Sequence, residues 1–296
     1  MRFGSVLAYV LAAADVASTA SLPIRIVSFN IRYAATSLET NEKPWSDRRT
    51  GLINQLKTVT DNATSDGSFS VLGLQEVLDA QLNDIKSGLG SPWTHYGFGR
   101  DDGAKSGEYN PIIYRTDVLK LVYSEQKWLS PTPDKVSFGW NAGSRRVSVI
   151  AVFEHIATGK RFIHTNTHLD NVSSQARSEG IKVVVSRIQA VQELYGPLPV
   201  TLTGDFNSEP GGDAYTTLSD TGYLTELWNS GATRLGTNQL TYTGFSTTGK
   251  SRIDFVWFGP AADKPYSAQQ FEFLTNYIDG VFISDHRAVV ADLTIL

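Results

Sequence analysis

The chain contains no cysteine among its 296 residues. Disulfides are therefore excluded, and a domain of this length need not depend on them for stability. No apolar run reaches the roughly 18 residues expected of a membrane-spanning helix. The sequence also has no glycine-rich P-loop, no G-x-S-x-G and no H-E-x-x-H motif, which excludes several common hydrolase mechanisms.

The charge balance is slightly acidic, with a net charge of −4. This argues against bulk binding of nucleic acid through a basic face, although a local basic groove stays open. Hydrophobic residues make up 41% of the chain, so a sizeable core is available. Because the sequence shows no internal repeat, linker or low-complexity segment, we expect a single domain over residues 21–296.

Residues 1–20 have the pattern of a secretory signal peptide. Arg2 supplies the positive charge, residues 6–14 form a short apolar stretch, and small residues occupy 18–20. A buried N-terminal helix is the alternative. Asn62 and Asn171 each begin an N-x-S/T sequon, so both are candidate glycosylation sites that fit a secreted product.

Apolar periodicity predicts strands mixed with helices. A helix is expected to begin near Pro44, with Ser46 or Asp47 as its cap. Further helices are expected over 79–87, 173–195 and 212–218. Strands are expected over 24–33, 71–77, 93–99, 108–115, 118–129, 146–154, 160–167, 251–258 and 268–274, with a last strand running to 296.

The apolar run 198–202 leads into Gly204, Asp205 and Asn207. Asp205 and Asn207 are two residues apart, so on a strand they share one face. An acceptor-only carboxylate beside an amide that both donates and accepts suits a phosphate and its attacking water. A strand end followed by a turn is the plainer interpretation of this stretch, since these are common turn residues.

Two of the five histidines, His168 and His286, stand where an apolar strand meets a polar turn. Alternation places Asn166 on the same face as His168. A single histidine in such a place is usually structural. Together with Glu76, Asp205 and Asp254, also at strand ends or within strands, the histidines indicate a cleft at one edge of a sheet.

Hydrolysis of a phosphate ester is the chemistry that uses this set. Carboxylates such as Glu76 and Asp285 are the ligands of hard divalent cations, and Mg²⁺ is the natural candidate. A histidine oriented by a buried aspartate can exchange protons near neutral pH, which pairs His286 with Asp254. A second histidine, an Asn and a metal would neutralise charge on the phosphorus.

Six motifs in order give the chain a family resemblance. It resembles the endonuclease/exonuclease/phosphatase superfamily of deoxyribonuclease I-like phosphoesterases, in a secreted subgroup found in bacteria and fungi. The resemblance implies a four-layer α/β sandwich, with two packed mixed sheets flanked by helices. The motifs are Ser28-Phe29-Asn30, Leu74-Gln75-Glu76-Val77, Thr167-His168-Leu169-Asp170, Gly204-Asp205-Phe206-Asn207, Arg252-Ile253-Asp254 and Ser284-Asp285-His286.

The resemblance also implies roles for single residues. Glu76 is the expected main metal ligand, with Asn30 and Asp285 beside it, for Mg²⁺ with Mn²⁺ and Ca²⁺ as alternatives. Asp205 and Asn207 would position water and phosphate, His286 and Asp254 would form the acid–base pair, and His168 would contact the phosphate. Glu108 is expected to pair with that histidine, and Tyr109 to line the same wall. Arg100, in the loop 99–107, and Asn166 are candidate substrate contacts.

The resulting hypothesis is a secreted, monomeric phosphodiesterase that acts on a phosphate-ester substrate without a stable protein partner. A nuclease and a phosphomonoesterase on a sugar or inositol phosphate are the alternatives within the class. Asn171, where the subgroup often has His, would place a glycan beside the catalytic face and argues against large polymers. A non-catalytic binding module is the main rival outside the class. A glycosidase is disfavoured because the carboxylates cluster with histidines.

Overall fold

The computed structural model describes residues 21–296, so the expected signal peptide over 1–20 lies outside the described residues. Within this range the chain forms two large mixed sheets flanked by helices, which confirms the expected four-layer α/β sandwich. The helices are α1 (Trp45–Ser65), α2 (Asp79–Leu89), α3 (Ser174–Tyr195) and α4 (Asp213–Ser219), with one 3₁₀ turn at Leu227–Asn229. No helix in 21–296 has the length and apolar character needed to cross a membrane.

The first sheet has the strand order β10-β12-β15-β1-β2-β4-β3. Its strands are β1 (Leu22–Asn30), β2 (Phe69–Gln75), β3 (Trp93–Tyr96), β4 (Ile112–Arg115), β10 (Thr233–Leu235), β12 (Tyr266–Phe273) and β15 (Val289–Ile295). The second sheet has the order β5-β6-β7-β8-β11-β9. Its strands are β5 (Leu119–Trp128), β6 (Val147–His155), β7 (Arg161–His168), β8 (Val200–Asp205), β9 (Thr225–Glu226) and β11 (Asp254–Gly259); β13 (Tyr277–Ile278) and β14 (Val281–Phe282) form a separate hairpin.

Three hydrophobic clusters separate the four layers. One lies between the sheets, one lies under α3 and α4, and one lies under α1 and α2. The alternation of β1 explains the arrangement, because Ile24 and Ile26 face the second sheet while Val27 and Phe29 face the helices. Gly73 lets the sheets approach, since a Cβ there would collide with Thr203 and Asn166.

Several element ends differ from the sequence prediction. Pro44 is the N-cap of α1 and no side chain caps it, so the expected Ser46 or Asp47 cap is wrong. The strand expected from residue 108 begins only at Ile112. The strand expected from residue 251 begins only at Asp254. By contrast, α3 begins as expected, with the Ser173 hydroxyl accepting a hydrogen bond from the Ala176 amide.

Strand direction collects the polar strand ends at one edge. β1 runs parallel to β2 and places Asn30 opposite Gln75, immediately before Glu76. β7 runs parallel to β8 and places His168 opposite Asp205. The antiparallel β11 begins at the same level, with Asp254 opposite Asp205. Because both sheets end here, side chains from the two layers meet across the sandwich.

Candidate active site

The Asn30 amide joins the two sheets at the centre of this edge. Its Nδ2 donates to Glu76 Oε1 and to Asp205 Oδ2, both at 2.9 Å. Its Oδ1 accepts the Arg32 amide at 3.0 Å. Oδ1 has a second lone pair, so the expectation that Asn30 ligates a metal stays a prediction. Through Nδ2, Asn30 orients two acidic side chains.

Glu76 follows β2 in a left-handed backbone conformation, with φ of 60°. Such a φ is uncommon for a residue other than glycine and is found at functional sites. Here it turns the carboxylate out of the sheet and into the cleft. The second carboxylate oxygen, Oε2, accepts the Tyr33 amide at 3.2 Å, so both oxygens are held in place.

His286 and Asp254 form a buried pair, with Nδ1 and Oδ2 2.8 Å apart. Nε2 lies 3.7 Å from Asp205 Oδ2. Burial disfavours the charged imidazolium, but Asp254, Asp285 and Asp205 outweigh burial and hold the pKa of His286 well above its ordinary value. The Tyr242 ring packs 5.0 Å from the imidazole. Asp254 therefore fixes the ring so that Nε2 points at the cleft centre.

His168 occupies the opposite side of Asp205, with Nε2 at 3.5 Å from Oδ2. Asn207 Nδ2 lies 3.1 Å from the same ring nitrogen and donates to the Leu169 carbonyl at 3.1 Å. Burial, with the positive charges of Arg146 and Arg100, holds the pKa of His168 well below its ordinary value. His168 is thus a neutral imidazole, opposite in charge state to His286.

Glu108 reaches His168 from the neighbouring loop. Its Oε2 lies 3.8 Å from His168 Nδ1, which is beyond hydrogen-bonding distance, so the expected pairing of the two side chains stays a prediction. Arg100 holds this carboxylate in a two-pronged ion pair, with both N–O distances at 2.8 Å. Arg100 is therefore at the cleft, and its substrate-binding role stays a prediction.

The acidic side chains repel one another. Burial and the charge of Asp254 raise the pKa of Asp205 to about 7. Burial, with a further contribution from Glu76, raises the pKa of Asp285 to about 6 and that of Glu108 to about 7. A site that gathers carboxylates out of water in this way fits a divalent cation, which prefers oxygen ligands.

Two groups of side chains bring ligand atoms within 4.8 Å of one another: Glu76, His168 and Asp205, and Asp205, Asp254 and His286. Asp205 belongs to both groups, so it is a stronger ligand candidate than the sequence indicated. Asp285 lines the same cleft but belongs to neither group. These donors fit a hard cation at the Glu76 side, with His286 and Asp254 paired beside it.

The cleft around these groups has a volume of about 570 Å³. Three arginines line it, and each is paired with a carboxylate: Arg32 with Glu42, Arg100 with Glu108, and Arg146 with Asp170. The lining residues are Arg32, Tyr33, Glu39, Glu76, Arg100, Glu108, Ser144, Arg146, His168, Asn171, Asp205, Asn207, Tyr242, Ile253, Asp285 and His286. Cavities of this size hold small molecules.

Asn166 and Tyr109 do not reach this cleft, and placing them there was wrong. Asn166 is fully buried between the sheets, where Nδ2 donates to the Leu74 and Pro111 carbonyls. Tyr109 packs in the cluster under α1 and α2. Its hydroxyl lies within hydrogen-bonding distance of Asp79 and the Ala104 carbonyl. Alternation along β7 led to the wrong prediction for Asn166, and proximity to Glu108 in the sequence led to the wrong prediction for Tyr109.

Sequence reasoning missed Arg32, Arg146 and Tyr242 as cleft residues. Arg32 follows the Phe29-Asn30-Ile31 motif by one position, and that proximity was the available signal. Arg146 begins the segment that leads into β6, and Tyr242 lies in a loop far along the chain from the motifs. Nothing local in the sequence marks the last two, because tertiary packing brings them in.

The two sequons differ in position. Asn171 lines the cleft, and its Oδ1 accepts a hydrogen bond from Arg146 at 2.9 Å. Asn62 is exposed on α1, remote from the cleft. Glycosylation of either stays a prediction. Asp170, which precedes Asn171, is structural, because it accepts the amides of Gly143, Val172 and Ser173.

Solved structures with the same fold share this architecture over nearly the whole chain. An endonuclease/exonuclease/phosphatase family protein from Bacteroides thetaiotaomicron is 28% identical, with 94% of this chain and 96% of that one covered and a TM-score of 0.83. The mannosyl-6-phosphatase of the same organism is 28% identical, with coverage of 92% and 99% and a TM-score of 0.79. A family member from Bacteroides vulgatus is 30% identical, with coverage of 93% and 99% and a TM-score of 0.79.

No curated protein matches the chain significantly. The profile of the Endonuclease/Exonuclease/phosphatase family does match, from residue 27 to residue 286. This interval spans every motif from Ser28 to His286 and includes strands of both sheets, ending before β15. The members of this family hydrolyse phosphoric esters and generally depend on a divalent metal. The chain belongs to the Endonuclease/Exonuclease/phosphatase family and is a phosphoric ester hydrolase.

Proposed function

We propose that this protein is a Mg²⁺-dependent hydrolase of a small phosphate ester, which transfers the phosphoryl group to water. The observation that carries the proposal is the convergence of Glu76 and His286 on Asp205. Asp254 fixes the His286 ring at 2.8 Å, so that Nε2 points at Asp205 Oδ2. The same oxygen accepts a hydrogen bond from Asn30, which also binds Glu76. Such a pairing joins a cation site to a proton-exchanging group.

Glu76 would hold the cation, with Asp285 at its border and Asp205 beside it as the base. The cation supplies charge neutralisation at the phosphate and activation of water. Mg²⁺ is the first choice because the donors are oxygens, while Mn²⁺ and Ca²⁺ are compatible with the same set.

The remaining groups of the site would transfer protons, neutralise charge or donate hydrogen bonds. Asp205, fixed through Oδ1 by the Asn207 amide at 2.9 Å, accepts a proton from the attacking water at Oδ2. His286 holds a proton at Nε2 and faces the phosphoryl oxygens with a positive charge. His168, neutral and bordered by Asn207, contributes hydrogen bonding without further charge. As the water oxygen bonds to phosphorus, Asp205 would take the water proton, the ester P–O bond would break, and the leaving alcohol would take the proton from His286 Nε2.

A sugar phosphomonoester is the favoured substrate class. The cleft of about 570 Å³ suits one small molecule rather than a long polymer. The similarity to a mannosyl-6-phosphatase over 92% of the chain supports the same class. The numerous polar groups of the cleft match a hydroxyl-rich leaving group.

A phosphodiester is the second candidate, and the pairing of the arginines favours it. Arg32, Arg100 and Arg146 are each already engaged by a carboxylate. A diester carries one negative charge fewer than the dianion of a monoester. It therefore needs less positive charge from arginines that are already paired with carboxylates.

We place this activity outside the cell, in a monomer that consists of the single domain 21–296. The signal-like pattern of residues 1–20 and the two sequons support this location. The acidic balance supports a soluble phosphate ester over a nucleic acid.

The test is hydrolysis of p-nitrophenyl phosphate, bis(p-nitrophenyl) phosphate and mannose 6-phosphate, each with Mg²⁺ and with EDTA. His286→Ala is compared with His155→Ala, a matched histidine at the far end of β6. We expect monoester turnover that EDTA abolishes and that only His286→Ala loses. Turnover confined to the diester would select the second candidate. No metal-dependent turnover of any phosphate ester would contradict the proposal.

A further inference from the structure

Arg48, on the first turns of α1, is a fully buried cation behind the acidic cleft. Among residues 21–296, no carboxylate forms an ion pair with its guanidinium. Each of its donors instead reaches a backbone carbonyl: Nε donates to Lys43, Nη1 to Ile31 and Ile283, and Nη2 to Arg32 and Tyr33, over 2.9–3.2 Å. All five N–H groups of the side chain are therefore used on main chain.

The carbonyls that Arg48 binds belong to the segments that carry the candidate metal site. Ile31 follows Asn30 directly, and the Tyr33 amide donates to Glu76 Oε2. Ile283 lies two residues before Asp285. Through Nη1, Arg48 therefore holds the end of β1 and the loop before β15 at a fixed distance. Ser284 reinforces the same junction, since its hydroxyl donates to the Asn30 carbonyl at 2.7 Å.

The charge of Arg48 matters as well as its hydrogen bonds. Burial lowers the pKa of its guanidinium, and the charges of Glu42, Asp285 and Glu76 oppose that effect. A buried cation with no direct carboxylate partner is costly unless a nearby negative field compensates it. Glu42 supplies the largest part of that field, and Asp285 and Glu76 of the cleft add to it, so Arg48 and these carboxylates stabilise one another.

We propose that Arg48 is a positioning residue of the metal site, which holds the Asn30–Tyr33 and Ile283–Asp285 segments in register and offsets the repulsion between the Asp285 and Glu76 carboxylates. The proposal rests on the proposed function only in taking this site to bind a divalent cation. Arg48 touches neither substrate nor cation. Its loss is expected to act on metal affinity, because partners behind the ligands commonly change metal affinity by about 10–100-fold.

A lysine cannot replace this arginine. The ammonium offers three donors from one nitrogen and cannot span carbonyls on both segments in a planar fork. Arg48→Lys keeps the charge and loses the bridging, while Arg48→Gln loses both. The comparison separates the two contributions.

Arg25 provides a matched control. It is also a buried arginine, 8% exposed, and it binds the Val59 carbonyl together with Asp292 at the opposite end of β1. Arg25→Gln therefore removes a comparable buried guanidinium without touching the cleft. Ser284→Ala is the second probe, since it cuts the same junction without removing a charge.

The experiment measures Mn²⁺ binding by calorimetry and Mg²⁺ half-saturation of turnover, at a temperature where circular dichroism shows every variant folded. We expect Arg48→Lys and Arg48→Gln to bind Mn²⁺ at least about 10-fold more weakly, with kcat at saturating metal within about 3-fold of wild type. Ser284→Ala should shift affinity in the same direction, and Arg25→Gln should not.

Wild-type metal affinity in both Arg48 variants, or in Ser284→Ala where the Arg48 variants do not fold, would overturn the proposal. A lower kcat with unchanged affinity would overturn it too, since it would place Arg48 in the chemistry. A wild-type protein that binds Mn²⁺ but hydrolyses no phosphate ester would contradict the proposed function alone, and the binding comparison would still decide the role of Arg48.

Discussion

Asp205 Oδ2 accepts a hydrogen bond from Asn30 Nδ2 at 2.9 Å, and this contact crosses from one sheet of the sandwich to the other. The same nitrogen holds Glu76, so one amide sets the spacing between the candidate metal ligand and the candidate base. The active site is thus a joint between the two halves of the fold. Packing of the sheets and geometry of the site are therefore coupled.

Asp254→Asn should lower kcat by about 10²–10⁴-fold, the usual contribution of general acid–base catalysis. The amide removes the negative charge next to Nδ1, so the pKa of His286 falls and its ring loses its fixed orientation. Steady-state kinetics at saturating substrate and Mg²⁺ give kcat directly. Asp213→Asn, in the Arg177 ion pair at the start of α4, is the matched control. Equal losses in the two variants would argue against a specific role for Asp254.

Asn166→Ala should destabilise the protein and leave its substrate KM unchanged. The substitution removes the amide that donates to the Leu74 and Pro111 carbonyls between the sheets. The Pro111 carbonyl keeps the Leu74 amide at 3.1 Å, whereas the Leu74 carbonyl loses the Asn166 donor. Leaving a buried carbonyl unpaired costs about 1–3 kcal/mol, so urea unfolding should show a free energy of unfolding that is lower by about that amount. A raised KM in the folded variant would return Asn166 to the substrate contacts.

Acid should destabilise the protein partly through His164. Burial lowers the pKa of this side chain to about 3, so it stays neutral in the folded protein, while the unfolded chain takes up a proton below about pH 6.5. Its contribution to stability is therefore full above pH 6.5 and is lost as pH falls toward 3, by about 1.4 kcal/mol per pH unit.

The measurement is urea unfolding of wild type and His164→Gln between pH 4 and pH 7. The variant should be less stable at pH 7, because it disturbs the bonds to Thr201 and Thr203, yet lose stability less steeply as pH falls. His155→Gln, at the less buried end of β6, controls for the loss of a histidine. Parallel slopes for wild type and His164→Gln would show that His164 is protonated in the folded state.

The sequence predicted the fold well because periodicity and ordered motifs are local signals. The expected α3 over 173–195 and the hairpin of β6 and β7 lie where the structure has them. The ends of the strands were predicted less accurately. Glu76 leaves its strand through a left-handed φ, and the segment before Ile112 makes only an isolated bridge to Val77, which no apolar pattern reveals.

The site could be predicted as far as its motifs reached. Asp205, Asp254 and His168 converge because each stands at a strand end, and His286 joins them from the segment just before β15. The prediction for Asn166 was wrong because alternation shows which face of the strand a residue lies on, but not whether that face packs against a second sheet. For Arg48 the sequence predicts only a place near the start of a helix. Its role is not visible there, because its five carbonyl partners lie on segments that come together only in the folded chain.

Removal and return of metal tests the central claim most directly. Wild-type protein and Glu76→Gln, stripped with EDTA and dialysed, are titrated with Mg²⁺ while p-nitrophenyl phosphate and bis(p-nitrophenyl) phosphate hydrolysis are followed. The account predicts that stripped wild type is inactive and regains turnover with Mg²⁺. Glu76→Gln should need far more Mg²⁺ or stay inactive, because it loses the charged ligand beside Asp205. Full turnover by the stripped wild type, or a Mg²⁺ titration of Glu76→Gln that superimposes on the wild-type one, would contradict the claim that this cleft is a metal-dependent phosphoesterase site.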